Sequence, residues 1–503
     1  MQSFDVIIVG AGLSGIGAAV HLRKHCPGKS FALLESREAI GGTWDLFRYP
    51  GIRSDSDMHT LGFSFKPWTE AKAIADGPSI RKYVNETADE YSIREHIRFG
   101  HSVKSANWSS EDSKWAVVCE KNGETVELKC NFLMMCAGYY NYHQAYDAQL
   151  PGLDNFQGEL VHPQFWPENL DYAGKKVVVI GSGATAMTIV PNMADAAGQV
   201  TMVQRSPTYV VSRPDQDVIA NTLRKFLPDP WAYAITRFKN VTMQGYVYNQ
   251  TRTNPDKVKS RLLGMVKKAL PNYDVDTHFT PRYNPWDQRL CLIPNGDLYK
   301  AIREEKVDVV TGEIDTITAT GLRMKSGEEI PADILVTATG LELQLLGGTE
   351  FSLDGEAIDF TETYSYKGMM YSDIPNLIQT FGYINASWTL RADLTSEYAC
   401  RVLNRMDEKG VEVVTPRLRE EDRDMETRPW IEDFSAGYMQ RVMHKFPKQG
   451  NRDPWRNTQN FALDKKIVRK ADLEDGALIF GQSASVIKLP DDAQAETEKR
   501  TAA

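Results

Sequence analysis

The 503-residue chain has six cysteines, Cys26, Cys119, Cys130, Cys136, Cys291 and Cys400, and no two are spaced as Cys-x-x-Cys. This scatter speaks against a disulfide framework or a thiolate zinc site and leaves free, buried thiols as the expectation. No apolar run reaches the roughly 20 residues that cross a bilayer. The opening "MQSF" passes straight into "DVIIVG" with no signal-peptide pattern, so a cytoplasmic protein without a transmembrane segment is expected. Lysine and arginine form no long run and the net charge is -9, which offers no net basic field to a nucleic acid. His21 and His25 stand four apart on the first expected helix, but with no carboxylate or thiolate beside them they read as surface histidines. What remains is ordinary globular usage, 42% hydrophobic and 25% charged, in a chain long enough for two to four domains.

Two glycine-rich turns organise the chain. The first, in "FDVIIVGAGLSGIGAAVHLRKH", sets Gly10, Gly12 and Gly15 between an apolar strand and a helical pattern. Gly10 permits the tight turn, Gly12 lets backbone approach a pyrophosphate, and Gly15 allows close helix packing. A second strand, "SFALLE", ends in Glu35, twenty residues beyond Gly15, the spacing at which an acid meets a ribose hydroxyl. The second turn, in "KKVVVIGSGATAMTIV", supplies Gly181, Gly183 and Ala186, and its following strand "QVTMVQRS" ends in Arg205 and Ser206. A cation and a hydroxyl suit a 2'-phosphate that a carboxylate would repel. The asymmetry assigns FAD to the first site and NADPH to the second, and two such sites imply electron transfer between nicotinamide and flavin.

The expected fold is α/β, with two Rossmann-like dinucleotide-binding domains and a helical insertion. Residues 1–147 and 345–503 would form a discontinuous FAD-binding domain, and residues 151–215 and 286–340 an NADP-binding domain. Residues 216–285 lack strand alternation and read as the helical insertion. The stretch "NLIQTFGYINASWTLRADLTSEYACRVLNRMD" reads as a strand, a loop and a long amphipathic helix, and "DDAQAETEKRTAA" as a frayed tail. The stretch "FQGELVHPQFWP", residues 156–167, fits neither the helical nor the strand period.

That last stretch resembles the fingerprint of type I Baeyer-Villiger flavin monooxygenases, matching it at Phe156, Gly158, His162, Trp166 and Pro167, with Pro163 where threonine is usual. "GGTWDLFRYPGIRSDSD" resembles the family's flavin-side motif at Gly41, Gly42, Trp44, Tyr49, Pro50, Gly51 and Asp55, and Gly42, Thr43 and Trp44 within it are cofactor-binding candidates. "YNPWDQRLCLIPNGDL" completes the likeness, which runs to about residue 470 and is closest to the ethionamide-activating subgroup. The resemblance implies a monooxygenase that uses FAD, NADPH and O2 to turn ketones into esters through a flavin C4a-peroxide, and that also oxygenates sulfides or thioamides. It assigns Arg289 to stabilise the anionic intermediates, Asp55 to orient that arginine, His162 to couple the two domains, and Asn385 to the flavin edge. Gln288 stands where many relatives have a lysine, which leaves Arg205 with most of the discrimination for NADPH. The substrate pocket is expected from the insertion, the "NASW" loop and the region around Trp455. Two rivals share the plan: a flavin monooxygenase acting mainly on nitrogen and sulfur nucleophiles, and a pyridine-nucleotide flavoprotein reductase or oxidase. The reductase needs a redox cysteine pair that the spacing does not offer.

Overall fold

The computed structural model describes residues 1–432 and 434–481. The expected tail, residues 491–503, and the last part of the expected FAD-binding domain lie outside the described residues.

The apolar run before the first glycine turn forms the strand Gln2–Val9, flanked in parallel register by Phe31–Leu34 and by Glu124–Met135. Val6, Ile7 and Ile8 are fully buried, as a strand covered on both faces requires, and each contributes about 1.5–3 kcal/mol relative to exposure. The same sheet continues through the antiparallel strands Lys114–Lys121 and Ser102–Ser109. Glu350–Leu353 then joins its edge, and Leu377–Gln379 pairs with Glu124–Met135, so residues distant in the chain complete a nine-stranded sheet.

The second glycine turn follows Lys176–Ile180 in a five-stranded, wholly parallel sheet. Its order is Val307–Thr311, Gln199–Gln204, Lys176–Ile180, Ile334–Thr337 and Glu159–Val161. The edge strand Glu159–Val161 belongs to the stretch that fits neither period. Three residues are too few to display an alternation, and a 3-10 turn over Pro163–Phe165 follows at once. A three-stranded antiparallel meander, Ile314–Thr318, Gly321–Met324 and Glu329–Pro331, is an element the sequence reading did not separate. Between the sheets' contributions run the helices Val218–Leu223, Asp229–Thr253 and Pro255–Ala269.

All six cysteines are free and buried. His21 corrects the sequence reading: it is buried, with Nε2 3.3 Å from Asp393, a partner 372 positions away that no local pattern could reveal. No group of three metal-ligating side chains occurs among the described residues. No helix there is long and apolar enough to cross a membrane.

Candidate active site

Both glycine turns open onto one cleft of about 1480 Å³, larger than the roughly 300–1,000 Å³ of a pocket for a single small molecule. On the first side, Gly12 caps the helix Leu13–His25, and on the second Gly183 caps Ala184–Met193. Neither cap has a side-chain hydrogen bond and neither first turn holds an acid, so the positive helix ends and their amides face the cleft, the first with only the Glu35 carboxylate beside it. A Cβ on Gly15 would lie 1.8 Å from Gly10 O, so helix and strand are pressed together there. At Gly183 an added Cβ meets nothing within 4 Å, so that backbone is bare toward the cleft. Two anion-binding helix ends in one large cleft are the donor set that two dinucleotides require.

Glu35 is buried beside the first helix end and accepts from Ala11 N at 2.8 Å and from Arg37 N at 2.9 Å. Burial pushes its carboxyl up, and those two amides oppose the shift. Gly42, Thr43 and Trp44 continue the same wall, where Thr43 Oγ1 lies 3.2 Å from the Tyr142 hydroxyl. Behind them the buried Asp45 gathers Arg37, Arg48 and Arg81 at 2.6, 2.7 and 3.1 Å, fixing the turn. On the second side Arg205 and Ser206 are exposed at the cleft, and Ser206 O accepts from Ser182 Oγ at 3.2 Å. Gln288 also lines the cleft.

Asp55 and Arg289 come together between the two sides, with Arg289 Nη1 3.9 Å from Asp55 Oδ2. The Asp55 side chain is 42% exposed to the cleft yet hemmed by protein elsewhere. Burial therefore raises its carboxyl while Arg289 and Arg53 pull it down. Arg289 Nε donates to the Tyr438 hydroxyl at 3.4 Å, and Tyr139, Tyr140 and Asp55 surround the guanidinium, whose charge is permanent. Asp287 does not take this arginine: it pairs with Arg252 at 2.8 Å. Asn385 lines the cleft too, its Nδ2 donating to Gln459 O at 3.0 Å. The helix Trp388–Lys409 begins just beyond it.

Gly15, Ala186 and His162 stand off the cleft wall. Gly15 and Ala186 are buried beneath their turns. His162 is partly buried, its Nδ1 accepting from Gln164 N at 3.2 Å, and burial lowers its pKa. Gln164, unremarked in the sequence, reaches back to Asn141 O at 2.7 Å. Trp455 is also a correction. It is fully buried in the core, its Nε1 donating to Asp422 at 2.8 Å, and takes no part in the cleft. Its place at the wall is taken by Tyr438 and Arg441, whose guanidinium lies 3.7 Å from the centre of the Tyr146 ring.

Sequence reasoning missed Arg53, which crosses from the flavin-side motif to Asp297 at 2.7 Å, and the partners of Trp388 in the "NASW" loop, whose ring stacks on Tyr139 while its Nε1 donates to Ser14 Oγ at 2.7 Å. An arginine or tryptophan whose partner is supplied by a remote segment leaves no local signal.

The profile of the flavin-binding monooxygenase-like family matches residues 62–225, and that of the NAD(P)-binding Rossmann-like domain matches residues 8–77. Over 483 residues the chain is 53% identical to the FAD-containing monooxygenase EthA of Mycobacterium tuberculosis, covering 96% of this chain and 98% of that one. It is 48% identical over 481 residues to the probable FAD-binding monooxygenase AlmA of an Acinetobacter species, covering 95% and 96%. Among solved structures, an oxidized steroid monooxygenase bound to NADP is similar with a TM-score of 0.78 at 22% identity, over 96% of this chain and 100% of that one. Closed cyclohexanone monooxygenase is similar at 0.74 and 20% identity, over 96% and 100%. At these identities the likeness is one of fold.

Proposed function

The chain belongs to the family of FAD-containing flavin monooxygenases that includes EthA, and from that membership we propose that it is an NADPH-dependent Baeyer-Villiger monooxygenase. It would insert one atom of O2 beside a ketone carbonyl to give an ester, the other atom leaving as water, and would also oxygenate sulfides or thioamides. The observation that supports this reading is the Arg289–Asp55 pair set between two glycine-capped helix ends in one cleft.

FAD would be held by the Gly10, Gly12 and Gly15 turn, Glu35 and the Gly42–Trp44 wall, with Asn385 at its far edge. NADPH would be held by the Gly181, Gly183 and Ala186 turn with Arg205 and Ser206. Bound together, these cofactors supply hydride transfer and the reductive activation of dioxygen. The chain supplies charge, orientation and dryness.

Arg289 cannot lose its proton at working pH, so it presents a permanent cation to oxygen atoms that gain negative charge during insertion. Asp55 restricts its rotamers, and Tyr438 anchors its Nε. The hydroxyls of Tyr139 and Tyr140 satisfy one another at 2.8 Å, leaving ring faces to keep water from the same volume.

Incubation with phenylacetone, NADPH and isotopically labelled O2 tests the reading. One labelled oxygen in benzyl acetate, formed in step with NADPH consumption, is the expected result. Stoichiometric hydrogen peroxide without a labelled product would make the protein an oxidase or reductase. Label in sulfoxides but never in an ester would make it a monooxygenase of nitrogen and sulfur nucleophiles.

A further inference from the structure

The helix Asp229–Thr253 is built inside out. Its protein-facing side buries Ala232 and Tyr233 but is otherwise polar: Arg237 donates to His59 O and Gly62 O and pairs with Asp393, and Asn240 and Gln244 both donate to Asp57. Its outward side carries Trp231, Ile235, Phe238 and Tyr246, spaced so that they fall on one face. Trp231 is 68% exposed and Phe238 74%; the preceding helix Val218–Leu223 adds Val218 at 72% and the turn after it Phe226 at 80%. A soluble surface tolerates single exposed apolar residues, but a contiguous aromatic stripe marks a face that something else covers.

Charge singles out the same segment. Residues 218–270 hold ten lysines and arginines against two aspartates and no glutamate, a formal +8 in a chain of net -9, leaving -17 for the remainder. Lys225 adjoins Phe226, and Lys257 and Arg261 are exposed on the next helix. None of the three has an ion-pair partner among the described residues. Asp229 and Asp256 are the segment's two acids, and both are exposed.

We propose that this face docks peripherally on an anionic lipid surface, with the aromatic side chains at the headgroup boundary and the lysines and arginine toward the lipid charge. A helix with an apolar aromatic face in a basic setting lies in the plane of such an interface and needs no spanning length. A two-fold contact with a second copy would bring one +8 segment against another, which charge disfavours. Ile219 and Met243 belong both to the exposed set and to the cleft lining, so the cleft opens where the lipid would lie. Docking itself is independent of the monooxygenase reading.

The test is flotation of the flavin-loaded full chain, purified without detergent, with vesicles of phosphatidylcholine alone or mixed with phosphatidylglycerol. Binding to the mixed vesicles that weakens with salt is expected. The variant Phe226→Ser/Trp231→Ser/Phe238→Ser should need at least about tenfold more lipid for half-binding, with melting temperature and flavin content unchanged. A second variant, Lys257→Glu/Arg261→Glu, touches no apolar residue and should lose the preference for phosphatidylglycerol. The proposal is overturned if the native chain floats with neither vesicle, or if both variants float as well as the native chain. It is equally overturned if the stripe instead supports a dimer that the triple variant breaks without any flotation.

Discussion

Although the Asp55 side chain is 42% exposed, the protein around it raises its carboxyl from the ordinary value, with Arg289 and Arg53 offsetting only part of the shift. A carboxyl whose folded pKa is raised binds its proton more tightly in the fold than in the unfolded chain. Its charged form therefore costs stability above that pKa, and the cost fades as pH falls through it. Asp55→Asn should accordingly leave the melting temperature at pH 7 unchanged or higher while ester formation falls, because the amide no longer pairs with Arg289. Parallel losses of melting temperature and activity would assign Asp55 to packing instead. Arg205 offers the complementary case. It is exposed at the cleft, which Gln288 also lines without adding charge, so Arg205→Ala should raise the KM for NADPH about tenfold while that for NADH barely moves. Equal effects on both would remove the 2'-phosphate from its account. These residues could be picked out in the sequence because motifs surround them. Tyr438, Tyr139 and Arg53 could not, since each matters through a partner that only the folded chain brings near.

The two glycine helices differ in what a methyl group would meet, and that separates folding from binding. Gly15→Ala forces a Cβ to 1.8 Å from Gly10 O and should yield protein with little flavin and a lower melting temperature. Gly183→Ala meets no atom within 4 Å, so it should fold normally and keep its flavin while losing affinity for NADPH, checked by titration of the oxidised protein with NADP. A stability loss at Gly183 equal to that at Gly15 would contradict this. Strand, turn and helix were legible at both sites because the apolar run, the glycine spacing and the end residue are all local. The inside-out helix was legible only as a helix. Periodicity identifies two faces but not which one the protein covers, and Asp57 and Asp393, which claim the polar face, lie far away in the chain.

Asp393 ties its own helix to three remote segments, receiving Ser64 N at 2.9 Å with His21 Nε2 and Arg237 Nη2 each at 3.3 Å. Burial alone would raise its carboxyl, but His21 and Arg237 outweigh burial and hold it below the ordinary range. A depressed folded pKa contributes stability that is fully present above the unfolded value of about 3.9 and is lost as pH falls through the folded one. Asp393→Asn should therefore cost about 3 kcal/mol in urea unfolding at pH 7, and the gap to the native chain should close as the medium is made more acidic than pH 4. A gap independent of pH would mean that the charge plays no part. This junction was closed to sequence reading, which took His21 for a surface residue, because a histidine in a helical pattern looks the same whichever way its face turns.

The uneven charge has a consequence that needs neither substrate nor lipid. With +8 gathered in residues 218–270 and -17 elsewhere, the molecule is an electric dipole larger than its net charge suggests, and it turns toward a charged surface before touching it. At neutral pH and low salt the native chain should be held by cation- and anion-exchange resins alike. Unfolded in urea, with its charges averaged along a flexible coil, it should keep its grip only on the anion exchanger.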